Sequence, residues 1–120
     1  MSSASDSCYA QAFEAIDREE SSELLIAERD SIAAGCLQLT LIPGISRQGA
    51  RRAQIENVRI AGTLRGKGIG TAMIDATLAR AKSRGAVFAQ LTSDVRRTDA
   101  RRFYERLGFS ASHIGFKRVL

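Results

Sequence analysis

The chain has 120 residues, 44% hydrophobic and 26% charged, the size and balance of one domain over 1–120 that needs no disulfide or metal staple for its core. No apolar run is long enough to span a membrane and no secretory leader pattern opens the chain, so a cytoplasmic protein without a membrane partner is expected. The net charge of +5 is uneven: residues 1–30 hold eight acids and two bases, residues 31–120 five acids and sixteen bases. A basic body suits nucleic acid or an anionic cofactor. Few aromatics and no recognition-helix or RNA-binding pattern leave the cofactor as the better fit, so no nucleic-acid partner is expected.

In chain order, Met1–Asp6 is small and polar. Ser7 to about Arg18 reads as a helix with Ala12, Phe13 and Ile16 on one side, followed by an acidic loop, Asp17–Glu23. Leu24–Glu28 and Ile32–Ile42 read as a hairpin about the turn Arg29-Asp30-Ser31, closed by Pro43-Gly44. Ser46–Arg51 is a basic loop, either a solvated connection or one wall of a pocket. Arg52–Ala61 is the third strand. Ile69, Ala72, Met73, Ala76 and Ala79 recur at helical spacing, with Lys82 and Arg84 in the last turn and Gly85 as the stop. Val87–Thr92 is a buried-looking strand. Asp99 is placed to cap a helix over Ala100–Leu107 that Gly108 ends, and Ser110–Leu120 reads as a closing strand. The order is helix, three strands, helix, strand, helix, strand.

Chemistry concentrates between the third strand and the next helix, in Ala61-Gly62-Thr63-Leu64-Arg65-Gly66-Lys67-Gly68-Ile69-Gly70-Thr71. A glycine loop entering a helix N-terminus is an anion site, because the first helical N–H groups lack partners and the helix dipole is positive there. The Walker A spacing fails: Gly62 to Gly66 is one residue short, and Gly68 stands where a magnesium-binding hydroxyl is needed. The dinucleotide fingerprint also fails, since the glycines alternate as Gly66-x-Gly68-x-Gly70. Cys8 and Cys36 lie far apart without metal-ligand spacing and read as buried thiols, so no metal is expected.

Arg65-x-x-Gly68-x-Gly70 resembles the acetyl-CoA pyrophosphate loop of the GNAT N-acetyltransferase family. One strand and one helix later, Ala100-Arg101-Arg102-Phe103-Tyr104-Glu105-Arg106-Leu107-Gly108-Phe109 resembles the family's A-x-x-x-Y-x-x-x-G-F segment. The resemblance implies an α/β fold with a mixed, mostly antiparallel central sheet flanked by helices, in the order α-β-β-β-α-β-α-β. It implies acetyl-CoA as cosubstrate, bound through Arg65, Gly66, Lys67, Gly68, Ile69, Gly70 and Thr71. Backbone of Val58 and Ile60 would hold the pantetheine arm. The acceptor would be the primary amine of a small molecule or peptide. Relative to the family pattern, the usual first strand and first helix are missing, which predicts a homodimer that covers the exposed sheet. The family's asparagine seven residues before the tyrosine is Arg97 here, so that contact is not carried over.

Direct transfer to an amine needs a base and a proton donor. Glu56 is the best-placed acid, with Gln54, Glu56 and Val58 expected on one strand face; a surface or salt-bridged glutamate is the alternative. Tyr104 would protonate the leaving thiolate, as the matching tyrosine does in the family; a core tyrosine is the alternative. His113, the single histidine, reads as structural or as an acceptor contact. The competing function is a non-catalytic acyl-CoA-binding or regulatory module.

Overall fold

The computed structural model describes residues 4–62, Gly66 and 68–120, with side chains from Tyr9 onward. Its elements run α1 (Ala4–Arg18), β1 (Ser22–Arg29), β2 (Ile32–Ile42), the single turn α2 (Ser46–Gly49), β3 (Arg51–Ile60), α3 (Ile69–Ser83), β4 (Ala86–Gln90) and α4 (Thr98–Arg106). The four strands lie in sequence order, with β1–β2 and β2–β3 antiparallel and β3–β4 parallel. This is the mixed α/β architecture expected, in the expected order as far as α4.

The core forms between one sheet face and α3. Leu37, Leu39 and Leu41 of β2 alternate onto that face beside Ala53 and Ile55 of β3, and Met73, Ile74 and Ala81 of α3 close over them. Period-two apolar strands facing a period-3.6 apolar helix stripe make such a layer. Thr77 is fully buried there, and its hydroxyl donates to the Met73 carbonyl at 2.7 Å. At the rim, the Arg80 guanidinium donates to both Glu23 oxygens, and Arg84 Nη1 lies 3.4 Å from the same carboxylate. The hydrogen bond from Arg80 holds the Glu23 carboxyl below its ordinary pKa against the opposing effect of partial burial.

Several expected boundaries shift. α1 begins at Ala4 rather than Ser7, and β1 begins at Ser22, inside the expected acidic loop. Within the basic loop, Arg47 and Gln48 are left-handed, and the Arg47 guanidinium sits 4.7 Å above the Phe88 ring. Asp99 lies in the first turn of α4, not at its cap, which Arg97 occupies without a side-chain hydrogen bond. The closing strand does not form. Residues 110–120 pair with no described strand, and Ile114, Phe116, Val119 and Leu120 are exposed. Alternating apolar residues make a strand only where a partner edge receives their backbone groups. His113 lies in this stretch, exposed, with Ser112 Oγ 2.7 Å from Nδ1.

Candidate active site

The third strand changes character half-way along. Its pairing with β4 runs from Arg51↔Ala86 to Gln54↔Gln90 and stops, while β3 continues to Ile60 beside β2 alone. β4 ends at Gln90, which leaves a gap beside residues 56–60 of β3. In this half, Cys36 pairs with Arg59 and Gln38 with Glu56, so Leu37 faces two residues, Asn57 and Val58. That is a β-bulge, and Asn57 adopts the left-handed conformation at φ 55°.

The bulge corrects the expected strand face. Ala53 and Ile55 point into the core before it, and Val58 and Ile60 pack against the same core after it. Glu56 thus shares a face with Gln54, not with Val58. It is exposed, on the side turned away from α3, and makes no ion pair among the described residues. The signal was in the sequence: apolar residues sit at odd positions through Ile55 and at even positions from Val58, with an asparagine between. Asparagine tolerates left-handed backbone better than most residues.

Beyond Ile60 the chain reaches the start of α3. Gly68 is the N-cap residue, left-handed at φ 76°, with no side-chain cap and no acid in the first turn. A Cβ at Gly68 would meet no atom of the described residues within 4 Å. The N–H groups of Ile69, Gly70 and Thr71 open the helix, and the first helical bond is donated by Ala72 to the Gly68 carbonyl at 3.1 Å. Gly66 is also left-handed. Arg65 and Lys67, both expected at this loop, lie outside the described residues.

Three elements converge on Gly70. A Cβ there would lie 3.2 Å from Phe103 of α4 and 3.9 Å from Ile60 of β3. Tyr104 follows Phe103, with ring centroids 5.1 Å apart. It is half-buried, and burial raises its pKa, opposed by the nearby Arg97 charge, so the phenol is protonated at neutral pH.

The second motif also has a structural reason for its spacing. Phe109 N–H donates to the Tyr104 carbonyl at 3.1 Å and Gly108 N–H to the Glu105 carbonyl at 3.0 Å. These two bonds are a Schellman helix stop, which needs a left-handed residue at Gly108 (φ 94°). Its usual hydrophobic contact joins Phe109 to Tyr104, ring centroids 5.9 Å apart. Y-x-x-x-G-F is therefore first a helix terminator, and it fixes the Tyr104 ring. Upstream, Asp94 accepts from the side chain and the backbone N–H of Arg96, which together lower its pKa to about 2 and fix the turn leading from β4 to α4.

Residues 2–109 match the acetyltransferase (GNAT) family. The chain belongs to this family. It is 31% identical over 67 residues to an aminoalkylphosphonate N-acetyltransferase of Salmonella typhimurium, a match covering 56% of this chain and 44% of that protein. A transcriptional regulator from Bacillus halodurans has the same fold, with a TM-score of 0.91 and 43% identity over 95% of this chain and 76% of that one. A ribosomal-protein-alanine N-acetyltransferase from Brucella melitensis gives a TM-score of 0.75 and 26% identity, covering 95% and 87% respectively. The chain thus spans less than half the length of the curated relative. Family membership supports acyl transfer to amines in general. No helix among the described residues is long and apolar enough to cross a membrane.

Proposed function

We propose that this GNAT chain is an acetyl-CoA-dependent N-acetyltransferase that acts on a primary amine by direct attack. The observation that carries this reading is the uncapped N-terminus of α3, at the mouth of the gap between β3 and β4, with Ile60 and Phe103 against Gly70. An open, left-handed glycine cap without a neighbouring acid suits a pyrophosphate. Ile69, Gly70 and Thr71 offer it main-chain N–H groups, and Arg65 and Lys67 are assigned to the same anion. Backbone of Val58 and Ile60, in the stretch of β3 that β4 has left, suits the amide-bearing arm of the cosubstrate.

The two candidate catalytic groups approach the gap from opposite sides. Glu56, on the face away from α3, takes the proton of the incoming ammonium. The amine lone pair then forms the C–N bond to the thioester carbonyl carbon as the C–S bond breaks. Tyr104, on the α4 side, gives its proton to the departing thiolate, while the acylated nitrogen loses its second proton to solvent, from which Tyr104 is reprotonated. The products are an amide and free CoA thiol.

Gly68→Glu tests the cradle. A Cβ has room there among the described residues, and the added carboxylate would stand where the anion binds. Calorimetry should show acetyl-CoA binding lost, whereas Gly68→Asn, which accepts the φ of 76° without adding charge, should keep it. Native affinity in a folded Gly68→Glu protein would overturn the assignment. Release of free CoA thiol with a panel of amines separates catalysis from mere acyl-CoA binding.

A further inference from the structure

The sheet face opposite α3 carries two parallel rows of paired residues. One is Leu24–Gln38–Glu56 and the next is Ile26–Cys36–Arg59. Leu24, Ile26, Cys36 and Arg59 of these rows line an open groove of about 610 Å³ with Phe13 of α1 and the small residues Ala33, Ala34 and Gly35, and Glu56 stands in the row beside it. The groove is apolar except for one charged side chain, Arg59. Neither Arg59 nor Glu56 is ion-paired among the described residues. They stand on adjacent rows of the same face, about 7 Å apart along an ideal strand.

An apolar trough with a cation in one row and a carboxylate in the next is complementary to one kind of small molecule. From this we infer the acceptor class: a primary amine bearing an anionic group close to the nitrogen and a compact apolar body. The body lies against Phe13, Leu24 and Ile26, the anion pairs with Arg59, and the amine is left beside Glu56. The bulge at Asn57 makes this possible, because it brings Arg59 onto the face of Glu56 although they are three positions apart, an odd spacing. This inference rests on the acetyltransferase reading, and it adds a specificity-determining role for Arg59. An exposed arginine offers a planar, bidentate partner to carboxylate or phosphonate.

Cys36 lies in the groove, is a free thiol and is partly accessible, so it reports occupancy without catalysis. In a Cys8→Ser background, alkylation of Cys36 is timed with phenylalanine, its phosphonate analogue, 2-phenylethylamine or glycine present, and acetylation of each is measured separately. Phenylalanine and the phosphonate should protect Cys36 and be acetylated best. Phenylethylamine, lacking the anion, and glycine, lacking the body, should each be about ten-fold weaker or worse. Arg59→Gln should lower the kcat/KM ratio of phenylalanine to phenylethylamine by about ten-fold, and Arg59→Lys should restore part of it. Equal protection by all four amines overturns the inference, as does an unchanged ratio in Arg59→Gln. Acetylation without Cys36 protection rejects the groove and keeps the transferase. Protection without acetylation of any amine leaves the groove a ligand site of this chemistry and overturns both the transferase reading and the acceptor role. A dimer in light scattering with Cys36 already shielded would seat a second copy there and overturn the proposal.

Discussion

The two halves of β3 have opposite tasks. Residues 52–54 are held between β2 and β4, and the following core residue Ile55 pairs with Leu39, which is fully buried. Residues 56–60 have β2 on one side only, contain a bulge, and carry Glu56, Val58, Arg59 and Ile60 of the proposed site. The first half is fixed by packing, which tolerates few changes. The second keeps backbone groups and side chains available because β4 ends at Gln90. A sheet that must also bind something gives up pairing where the ligand enters and pays for it with a well-packed remainder.

Four substitutions bracket this division, from the largest expected effect to the smallest. Leu39→Ala strikes the packed half. It removes a side chain with 0% exposure beneath α3 and should cost about 2–5 kcal/mol in denaturant unfolding. A loss below about 1 kcal/mol would mean that the core can collapse around the missing atoms. Tyr104→Phe strikes the open half. It keeps the ring edge-to-face with Phe103 and Phe109 and removes only the phenolic hydroxyl, so kcat should fall about ten-fold or more with the melting temperature nearly unchanged. Lost stability with normal turnover in the folded fraction would return Tyr104 to a purely structural role as part of the helix stop.

Asn57→Val tests the bulge itself. A β-branched residue is disfavoured at φ 55°, and the strain should cost about 1–2 kcal/mol, while Asn57→Gly should be close to neutral. Should both variants behave alike, the left-handed backbone is not what holds the bulge. The smallest effect is electrostatic. The pKa of Glu23 is lowered in the folded chain below its ordinary value of 4.5, chiefly by Arg80. Its contribution to stability is therefore present above pH 4.5 and is lost as the pH falls through the folded value. Glu23→Gln should flatten this acid limb of the stability curve without moving acetyl-CoA binding. An unchanged limb would mean that the ion pair between β1 and α3 contributes nothing measurable.

Much of this was legible in the sequence. Alternating apolar residues in β2, the helical spacing of Met73 and Ala76, and the stop glycines Gly85 and Gly108 specify elements through local backbone and side-chain rules. The glycine loop was recognisable because an anion site at a helix start needs small residues at fixed spacing, which is again local. The segment ending in Gly108-Phe109 was legible for the same reason, since a Schellman stop is written within one turn of helix.

Three features were settled only by tertiary structure. Whether Ser110–Leu120 becomes a strand depends on a partner edge, which an alternating pattern does not supply. The face on which Glu56 stands depends on a bulge, and one extra residue inverts every side chain beyond it. The meeting of Leu24, Ile26, Phe13 and Arg59 around one groove joins residues up to 46 positions apart (59 − 13), and their pairing across β1, β2 and β3 is a property of register. Local chemistry fixed the elements and marked the glycine loop before α3. Register and strand divergence decided which side chains share a face, and hence which of them can act on the same substrate.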